Sequence, residues 1–259
     1  MTASRIHPTA IISRDAEIDA DVEIGAFAIV GDGCAIGAGS VIAARATLER
    51  NVRLGRSVKV GIGTVLGGAP QDLKYAGEET TVEIDDGTVI REYATINRGT
   101  AHSFKTTVGK NCLIMSYAHI GHDCRIGNSV ILSNVVQLAG HVTIEDKAIL
   151  SGLSAVHQFT RVGRQSFIGG MSRVSKDIPP FLKAVGNPVK LYGLNTIGLQ
   201  RGGMDDAAIL ELKRAYRLLF RSDLNVTQAI ERCQSELEQL PEVLELIRFV
   251  EGSERGVVI

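Results

Sequence analysis

The sequence predicts an all-β solenoid of six-residue repeats that is followed by a C-terminal helical domain. Three observations support this prediction. Aliphatic residues recur every six positions over most of the chain; glycine contributes 28 of the 259 residues, whereas aromatic residues make up only 5%; and the repeat stops after Val174. Many glycines and few rings suit a narrow aliphatic core with frequent tight corners.

The repeat comes in three series. Aliphatic residues occupy every sixth position from Ile6 to Leu66, then Ile84, Ile90 and Ile96, and then every sixth position from Val108 to Val174. A period of six fits neither the 3.6-residue period of an α-helix nor an ordinary hairpin meander, whereas hexapeptide repeats are typical of a β-solenoid. We therefore assign residues 1–190 to the solenoid.

Two further positions of the repeat have a recognisable character. Four residues after the aliphatic position the side chain is often small, and Cys34, Cys112 and Cys124 occupy this position, which predicts inert core cysteines. The residue directly after the aliphatic position is often glycine. We expect these glycines to adopt positive φ at the corners: Gly25, Gly31, Gly37, Gly55, Gly61, Gly109, Gly121, Gly127 and Gly163.

Two polar stretches interrupt the repeat, near residues 67–82 and 97–107. Because they cannot lie in an aliphatic column, we expect both to loop outward. Loops that are inserted into a rigid repeat are favoured places for binding residues.

The C-terminal part, residues 191–259, is predicted to be helical. The preceding stretch SKDIPPFLKAVGNPVKLYG has three prolines and no period, so an extended crossing segment is expected there. Asp205 or Asp206 can cap a first helix, a second follows Asn225, and a third starts at Pro241, a favoured first helical residue. This domain is expected to cap the solenoid or to pack on neighbouring chains.

Charge and composition exclude some classes of partner. The formal net charge is −1, which gives no overall attraction to nucleic acid, and no apolar run is long enough for stable membrane insertion. The N-terminus resembles no signal peptide, so a cytoplasmic protein is expected. An acidic partner could bind a local basic patch, which comprises Arg161, Arg164, Arg173, Lys176, Lys183, Lys190 and Arg201.

Histidines mark the candidate site. If one coil contains three hexapeptides, His122, His141 and His157 fall on nearly the same edge of successive coils, with Gly140 one coil above His122. Such an edge suits general-base catalysis by imidazole. It also allows a zinc site of three histidines, as in a hexapeptide-repeat carbonic anhydrase, although a line of ligands converges poorly. A non-catalytic β-helical scaffold is the third hypothesis.

Several motifs then resemble one enzyme family. The stretches QDLKYAGE, AHIGHDC, LAGHV, AVHQF, IPPF and RAYRLLFR resemble the acyl-carrier-protein-dependent UDP-N-acetylglucosamine O-acyltransferases, which begin lipid A synthesis. The resemblance implies a left-handed parallel β-helix, a homotrimer and active sites between subunits. It implies no metal and no cofactor apart from the phosphopantetheine of the acyl carrier protein, which carries a 3-hydroxyacyl donor.

The resemblance also implies residue roles. His122 would be the general base for the sugar 3-hydroxyl, Asp123 would orient its ring, and the backbone N–H of Gly140 would donate to the oxyanion. Gly170 would leave the acyl groove open for a longer chain. Further substrate contacts are implied for Gln71, Asp72, Lys74, Asn97, His119, His141, His157, Gln158, Asn195 and Arg201.

Three positions depart from the family pattern. Asn97 replaces a histidine near the sugar, and Ile197 and Gly202 stand where family members place an acid and a second arginine that contact the nucleotide. These departures leave open an alternative acceptor that carries an amine at C3, which would make the product an amide.

Overall fold

The computed structural model describes residues 4–259, and most of them form a parallel β-helix of triangular cross-section. Each coil contributes one short strand to each of three parallel sheets. Residues 18 apart are paired between coils, for example His119 with Gln137 and Gln137 with Ala155. The predicted coil of three hexapeptides is therefore confirmed.

The strands are short, with lengths of two to six residues. In chain order, β1 to β14 are Arg5–Ile6, Ile11–Ile12, Glu17–Ile18, Glu23–Ile24, Ile29–Val30, Ala35–Ile36, Val41–Ile42, Thr47–Leu48, Val52–Leu54, Lys59–Val60, Val65–Gly68, Thr81–Ile84, Val89–Ile90 and Thr95–Asn97. Strands β15 to β28 are Lys105–Val108, Leu113–Ile114, His119–Ile120, Arg125–Ile126, Ile131–Leu132, Gln137–Leu138, Thr143–Ile144, Ile149–Leu150, Ala155–Val156, Arg161–Val162, Phe167–Ile168, Arg173–Val174, Leu182–Gly186 and Val189–Leu194.

The three faces of the prism are these sheets. Sheet A runs from β1 through every third strand to β25 and then adds β27 and β28; sheet B runs from β2 to β26; and sheet C runs from β3 to β24. The chain passes from A to B to C within each coil. We name each corner by the two sheets that it joins, so that the B–C corner follows a sheet B strand.

The interior is a column of aliphatic side chains. The second residue of each short strand points inward, and Ile96, Ile120 and Leu138 of successive sheet B strands are essentially inaccessible to solvent. The small position is also filled as predicted, because Cys34, Cys112 and Cys124 are buried. Burial raises the pKa of each of these thiols, so the prediction of inert core cysteines is supported.

The prediction of positive φ at the corner glycines is wrong. The left-handed conformation falls two residues later, at the second turn residue, for example at Phe27 (φ 57°) and Asp123 (φ 59°). The glycines are needed for another reason. A Cβ on Gly25 would lie 2.6 Å from the backbone N of Ala44, so only glycine allows the next coil to approach so closely.

The two polar insertions are shorter than predicted. Val82 in β12 and Thr106 in β15 are fully buried, so the outward loops are residues 69–80 and 98–104. The strand ends belong to the column because their alternate side chains still point inward. Both loops leave at the B–C corner, on consecutive coils.

The prediction of an extended crossing segment before the helices is also wrong. This stretch forms an antiparallel hairpin of β27 and β28. Its period is two: Val189 and Leu191 are buried, whereas Lys190 is exposed. Strand β27 pairs with β25, so the hairpin extends sheet A beyond the last coil.

Four helices follow: α1 Thr196–Arg201, α2 Asp206–Phe220, α3 Val226–Glu236 and α4 Pro241–Glu251. The three predicted starts are confirmed, since Asp205 caps α2, Asn225 forms a capping box with Gln228 in α3, and Pro241 begins α4. Helix α1 was not predicted. Within residues 4–259, none of these helices has the length and apolar character that crossing a bilayer requires.

Candidate active site

The candidate site lies at the B–C corner, where consecutive coils place most of the predicted residues. This corner carries the loops 69–80 and 98–104 on the two lower coils. The next coils add His122 with Asp123, then Gly140 with His141, and then His157 with Gln158. Segments that are distant in sequence therefore meet along one ridge of the prism.

His122 and Asp123 form a buried hydrogen-bonded pair. Nδ1 of His122 lies 2.8 Å from Oδ2 of Asp123, and the Asp123 side chain is 0% exposed. Neighbouring side chains in a strand would point apart, but Asp123 has a φ of 59° at the turn. The corner thus turns the two side chains together, as the proposed pairing requires.

Asp123 is held by donors from loop 98–104. Its carboxylate accepts hydrogen bonds from the backbone N and Oγ1 of Thr100 and from the backbone N and Oγ of Ser103, at 2.5–3.1 Å. Burial alone would raise the pKa of Asp123, but the hydrogen bonds from Ser103, His122 and Thr100 outweigh it and lower the pKa to about 2. Asp123 is therefore a fixed carboxylate that favours the Nδ1–H tautomer of His122.

Gly140 lies directly above the free edge of the His122 ring. A Cβ on Gly140 would be 2.5 Å from both Cε1 and Nε2 of His122. Within residues 4–259 the Gly140 N–H donates no hydrogen bond. The corner therefore places an unused backbone donor beside the imidazole nitrogen that is free to act as a base.

His141 belongs to a cluster of rings. Its ring is stacked on Phe159 with centroids 4.3 Å apart, and it makes edge contacts with His122 at 4.9 Å and His102 at 4.6 Å. Its Nδ1 lies 3.9 Å from Oδ2 of Asp123 and has no hydrogen-bond partner among the described residues. Burial is the largest cause that lowers the pKa of His141, and only Asp123 and Asp72 oppose it.

The prediction that three histidines lie on nearly the same edge is confirmed, and the structure adds where each stands within the turn. His122 is the first turn residue of its coil, His141 is the second turn residue, and His157 precedes its turn. The three therefore share one corner but occupy different positions, and the Nδ1 of His157 contacts Arg255 at 2.7 Å. The third histidine ring of the cluster is that of His102 from loop 98–104, which contacts His141.

A cleft of about 380 Å³ opens in front of the pair. Its lining includes five residues with predicted roles: Gln71, His119, His122, Gly140 and Gln158. Oγ1 of Thr95 lies 2.7 Å from Nδ1 of His119. Burial lowers the pKa of His119, and the neighbouring His122 lowers it further, so this ring is neutral near pH 7.

Loop 69–80 closes one side of the cleft. Asp72 accepts a hydrogen bond from the backbone N of Lys74, which shapes the loop tip. The Nδ2 of Asn97 donates to the carbonyl of Ala69 at 2.7 Å, whereas its Oδ1 is buried without a partner among the described residues. Asn97 thus attaches the start of this loop to the coil.

Three predicted residues lie elsewhere in the chain. Gly170 is at the A–B corner, the opposite edge of sheet B, where a Cβ would meet only the Gly152 carbonyl at 3.3 Å and Ser151 at 3.9 Å. Asn195 caps α1 and donates to the carbonyl of Gln165 at the C–A corner, and Arg201 ends the same helix. One chain therefore does not bring Asn195 and Arg201 to the His122 cleft.

The basic patch has fewer unpaired cations than the sequence indicated. Arg164 is paired with Glu245 at 2.7 Å, and Arg161 is paired with Glu145 at 3.1 Å. Ion pairs thus neutralise two of the seven cations. Arg173, Lys176 and Lys183, near the last coil, form no ion pair within the described part of the chain.

Three side chains at this corner have the residue types and spacing of possible metal ligands. His122, Asp123 and His141 bring possible ligand atoms within 4.8 Å of one another, whereas the predicted set of His122, His141 and His157 does not form. Oδ2 of Asp123 already accepts from Thr100 and His122. This geometry favours a hydrogen-bonded pair over a zinc centre.

Sequence reasoning missed the residues that support the pair. Thr100 and Ser103 hold Asp123, and His102 and Phe159 enclose His141. Thr100, His102 and Ser103 lie in the second polar insertion, where the sequence predicts binding residues. Their contacts could not be predicted, because a loop has no period that fixes which residues it meets.

Comparison with known proteins first gives the class. Residues 105–140 match the family model of bacterial transferase hexapeptide repeats, and residues 177–258 match domain 2 of Udp N-acetylglucosamine O-acyltransferase. The coils and the helical C-terminus are therefore those of a hexapeptide-repeat acyltransferase.

Two relatives in sequence give the family. The acyl-[acyl-carrier-protein]--UDP-N-acetylglucosamine O-acyltransferase of Burkholderia orbicola is 49% identical over 264 residues, covering 98% of this chain and 99% of the relative. The enzyme of Anaeromyxobacter dehalogenans is 47% identical over 192 residues, covering 74% of this chain and 75% of its own. The chain belongs to the UDP-N-acetylglucosamine O-acyltransferase family.

Solved structures of acyltransferases from this family have the same fold as this chain. The UDP-N-acetylglucosamine acyltransferase of Bacteroides fragilis superposes with a TM-score of 0.96 at 39% identity over 98% of this chain and 99% of its own, and that of Acinetobacter baumannii gives 0.95 at 40% over the same shares. The predicted left-handed parallel β-helix with C-terminal helices is therefore confirmed.

Proposed function

We propose that the protein transfers a 3-hydroxyacyl chain from acyl carrier protein to the 3-hydroxyl of UDP-N-acetylglucosamine, the first step of lipid A biosynthesis. The observation that carries this proposal is the His122–Asp123 pair beneath the unused N–H of Gly140, at the edge of a cleft. Family membership supports this reaction over the zinc-enzyme and scaffold hypotheses.

The geometry supports a general-base mechanism. Asp123 fixes the proton of His122 on Nδ1, so Nε2 can remove the proton of the acceptor hydroxyl. The resulting oxygen attacks the thioester carbonyl, and the negative charge on the carbonyl oxygen is stabilised by the N–H of Gly140. When the carbon–sulfur bond breaks, the imidazolium returns the proton to the leaving thiolate, and Asp123 stabilises the imidazolium in between.

The donor requires no resident cofactor in this proposal. The phosphopantetheine arm of the carrier protein brings the acyl chain to the cleft along sheet B, where Gly170 leaves the far corner open. Acidic carrier protein would bind the cations near the last coil, such as Arg173, Lys176 and Lys183, because opposite charges steer association. Both substrates are water-soluble, which is consistent with a cytoplasmic location.

The acceptor is proposed to carry a hydroxyl at C3. The relatives described above are named O-acyltransferases, so the amine alternative is not favoured. Among residues 4–259, none of those that line the cleft is an acid that would prefer an ammonium group, since Asp123 is enclosed behind His122.

We further propose that the working form is a homotrimer. The outward positions of sheet A are apolar on five consecutive coils, namely Val89, Leu113, Ile131, Ile149 and Phe167. The A–B corner adds a ridge of exposed apolar residues that includes Tyr93, Tyr117, Leu153 and Met171. Exposed apolar patches of this extent are typical of interfaces. A neighbouring copy would also bring Asn195 and Arg201 towards the cleft.

A direct assay tests the proposed function. Purified protein is supplied with carrier-bound 3-hydroxyacyl donors of several chain lengths and with either the 3-hydroxyl or the 3-amino sugar nucleotide. We expect acylation of the hydroxyl acceptor and a small rate with the amine. A preference for the amine would overturn the acceptor assignment, and no transfer to either would overturn the proposal.

A further inference from the structure

The C-terminal segment 252–258 lies across the B–C corner of the last coil. The backbone N of Val258 donates to the carbonyl of Asp177 at 2.9 Å, and the backbone N of Asp177 donates to Gly256 at 3.0 Å. The buried carboxylate of Asp177 accepts from Oγ of Ser253 at 2.8 Å and from the backbone N of Arg161, also at 2.8 Å. The segment is thus fixed in place beside the candidate site.

Arg255 connects this segment to a predicted site residue. Its Nε donates to the carbonyl of Ser175 at 2.9 Å, and its Nη2 lies 2.7 Å from Nδ1 of His157. A guanidinium can donate hydrogen bonds but cannot accept them. Nδ1 of His157 must therefore carry a lone pair, so the proton of the neutral ring is on Nε2.

Nδ1 of His157 has a second neighbour, which is a hydrogen-bond acceptor. A hydrogen bond to that acceptor would require a proton on Nδ1, contrary to the tautomer that Arg255 indicates. The carbonyl of Gln158 lies 3.2 Å from the same Nδ1 of His157. Two acceptors cannot share a hydrogen bond, so the shorter contact with Arg255 determines the tautomer. The Nε2–H of His157 therefore remains available as a donor. His157 lies on the coil above Ala139 and Gly140, and its neighbour Gln158 lines the cleft.

We propose that Arg255 is a positioning residue that holds His157 in the Nε2–H tautomer and thereby makes the C-terminal segment part of the active site. The donor would face an oxygen of the substrate, such as a carbonyl or phosphate oxygen. Arg255 itself lies behind His157 and does not touch the reacting atoms. The expected effect of Arg255 on turnover rests on the proposed function. Its expected effect on the tautomer of His157 does not.

Nitrogen NMR of the protein with ¹⁵N-labelled histidine tests the structural part. The His157 signals are assigned with the variant His157→Gln, and spectra are recorded for the unsubstituted chain and for Arg255→Met. We expect the unsubstituted chain to show an unprotonated Nδ1 and a protonated Nε2, and Arg255→Met to show mixed tautomers. An unchanged His157 signature in Arg255→Met would overturn the proposal, whatever the enzyme assay gives.

A double-mutant cycle tests the functional part. Arg255→Met is expected to lower kcat/KM about tenfold, which is typical for the loss of one charge-assisted hydrogen bond. It should cause no further loss in His157→Ala, because the effect passes through His157. Arg255→Lys, which keeps a donor, should recover most of the activity. Losses that multiply in the double variant would show a merely structural role and overturn the proposal.

The matched control is Arg248→Met, because Arg248 is an exposed arginine of α4 whose side chain makes no hydrogen bond or ion pair with the described residues. It should leave both the NMR signature and kcat/KM unchanged. If the unsubstituted chain transfers no acyl group at all, the proposed function fails, and the NMR comparison still decides the role of Arg255.

Discussion

Gly140 leaves room for the ring of His122: a Cβ on Gly140 would lie 2.5 Å from Nε2, the nitrogen that is free to act as a base. The same residue presents an unused N–H beside that nitrogen. One glycine thus satisfies two requirements, space for the base and a donor for the oxyanion.

The variant Gly140→Ala should therefore lose activity without losing the fold. The methyl group would displace the imidazole, and a misplacement of about 1 Å can cost about 100-fold in rate. We expect kcat to fall by about that factor in a steady-state assay. The control is Gly152→Ala, at the same turn position of the A–B corner, where the nearest atom would be the Asn134 carbonyl at 3.1 Å. Equal losses in both variants would contradict the assignment.

Asp123→Asn tests the orientation of the base. The amide keeps the shape of the carboxylate, but it removes the charge that stabilises the imidazolium, and its NH₂ group would face donors from Thr100 and Ser103. We expect kcat to fall about 10²–10⁴-fold, as in other enzymes with a histidine–aspartate pair. Thermal unfolding should show a lower midpoint as well. A variant with normal kcat would remove Asp123 from the mechanism.

The buried histidines predict a pH dependence of stability. Burial lowers the pKa of His119 and of His141 from 6.5 in the folded chain. The unfolded chain then binds more protons below about pH 6.5, so the free energy of unfolding falls as the pH falls from that value towards the folded pKa values. Denaturant unfolding at pH 7.5 and at pH 5.5 measures the slope.

The double variant His119→Gln/His141→Gln is the comparison for this slope. It should flatten the dependence between pH 5.5 and pH 7.5, since glutamine binds no proton in that range. An equally steep dependence in the double variant would assign the effect to other groups.

Chain-length selectivity should depend on Gly170. The residue leaves the A–B corner open, so Gly170→Met should block the far end of the groove and shift preference to shorter 3-hydroxyacyl donors. Competition between donors of different length in one reaction measures this ratio. Unchanged selectivity would refute the role of Gly170.

The coil geometry could be predicted from the sequence because it depends on a period. Ile120 and Leu138 follow a six-residue rhythm that fixes which side chains point inward, and Gly140 above His122 follows from the eighteen-residue coil. Positive φ at the corner glycines was predicted wrongly, because a sequence shows that a glycine is present but not whether backbone conformation or coil contact requires it.

The site was predictable in part for the same reason. His122, Gly140 and Gln158 lie in the cleft because they belong to regular coils. Thr100 and Ser103, which hold Asp123, lie in a loop whose contacts depend on its own hydrogen bonds and not on the repeat. His157 shares the corner with the other histidines, but a shift of one position turned its ring towards Arg255.

Turnover by His122→Ala is the most direct test of the central claim that His122 is the general base. The ring is nearly buried, so the variant is first compared with the unsubstituted chain by circular dichroism and by mass in solution. We predict a folded protein of unchanged mass whose kcat with carrier-bound donor and sugar nucleotide is at least about 100-fold lower. Full turnover by a folded His122→Ala variant would contradict the account.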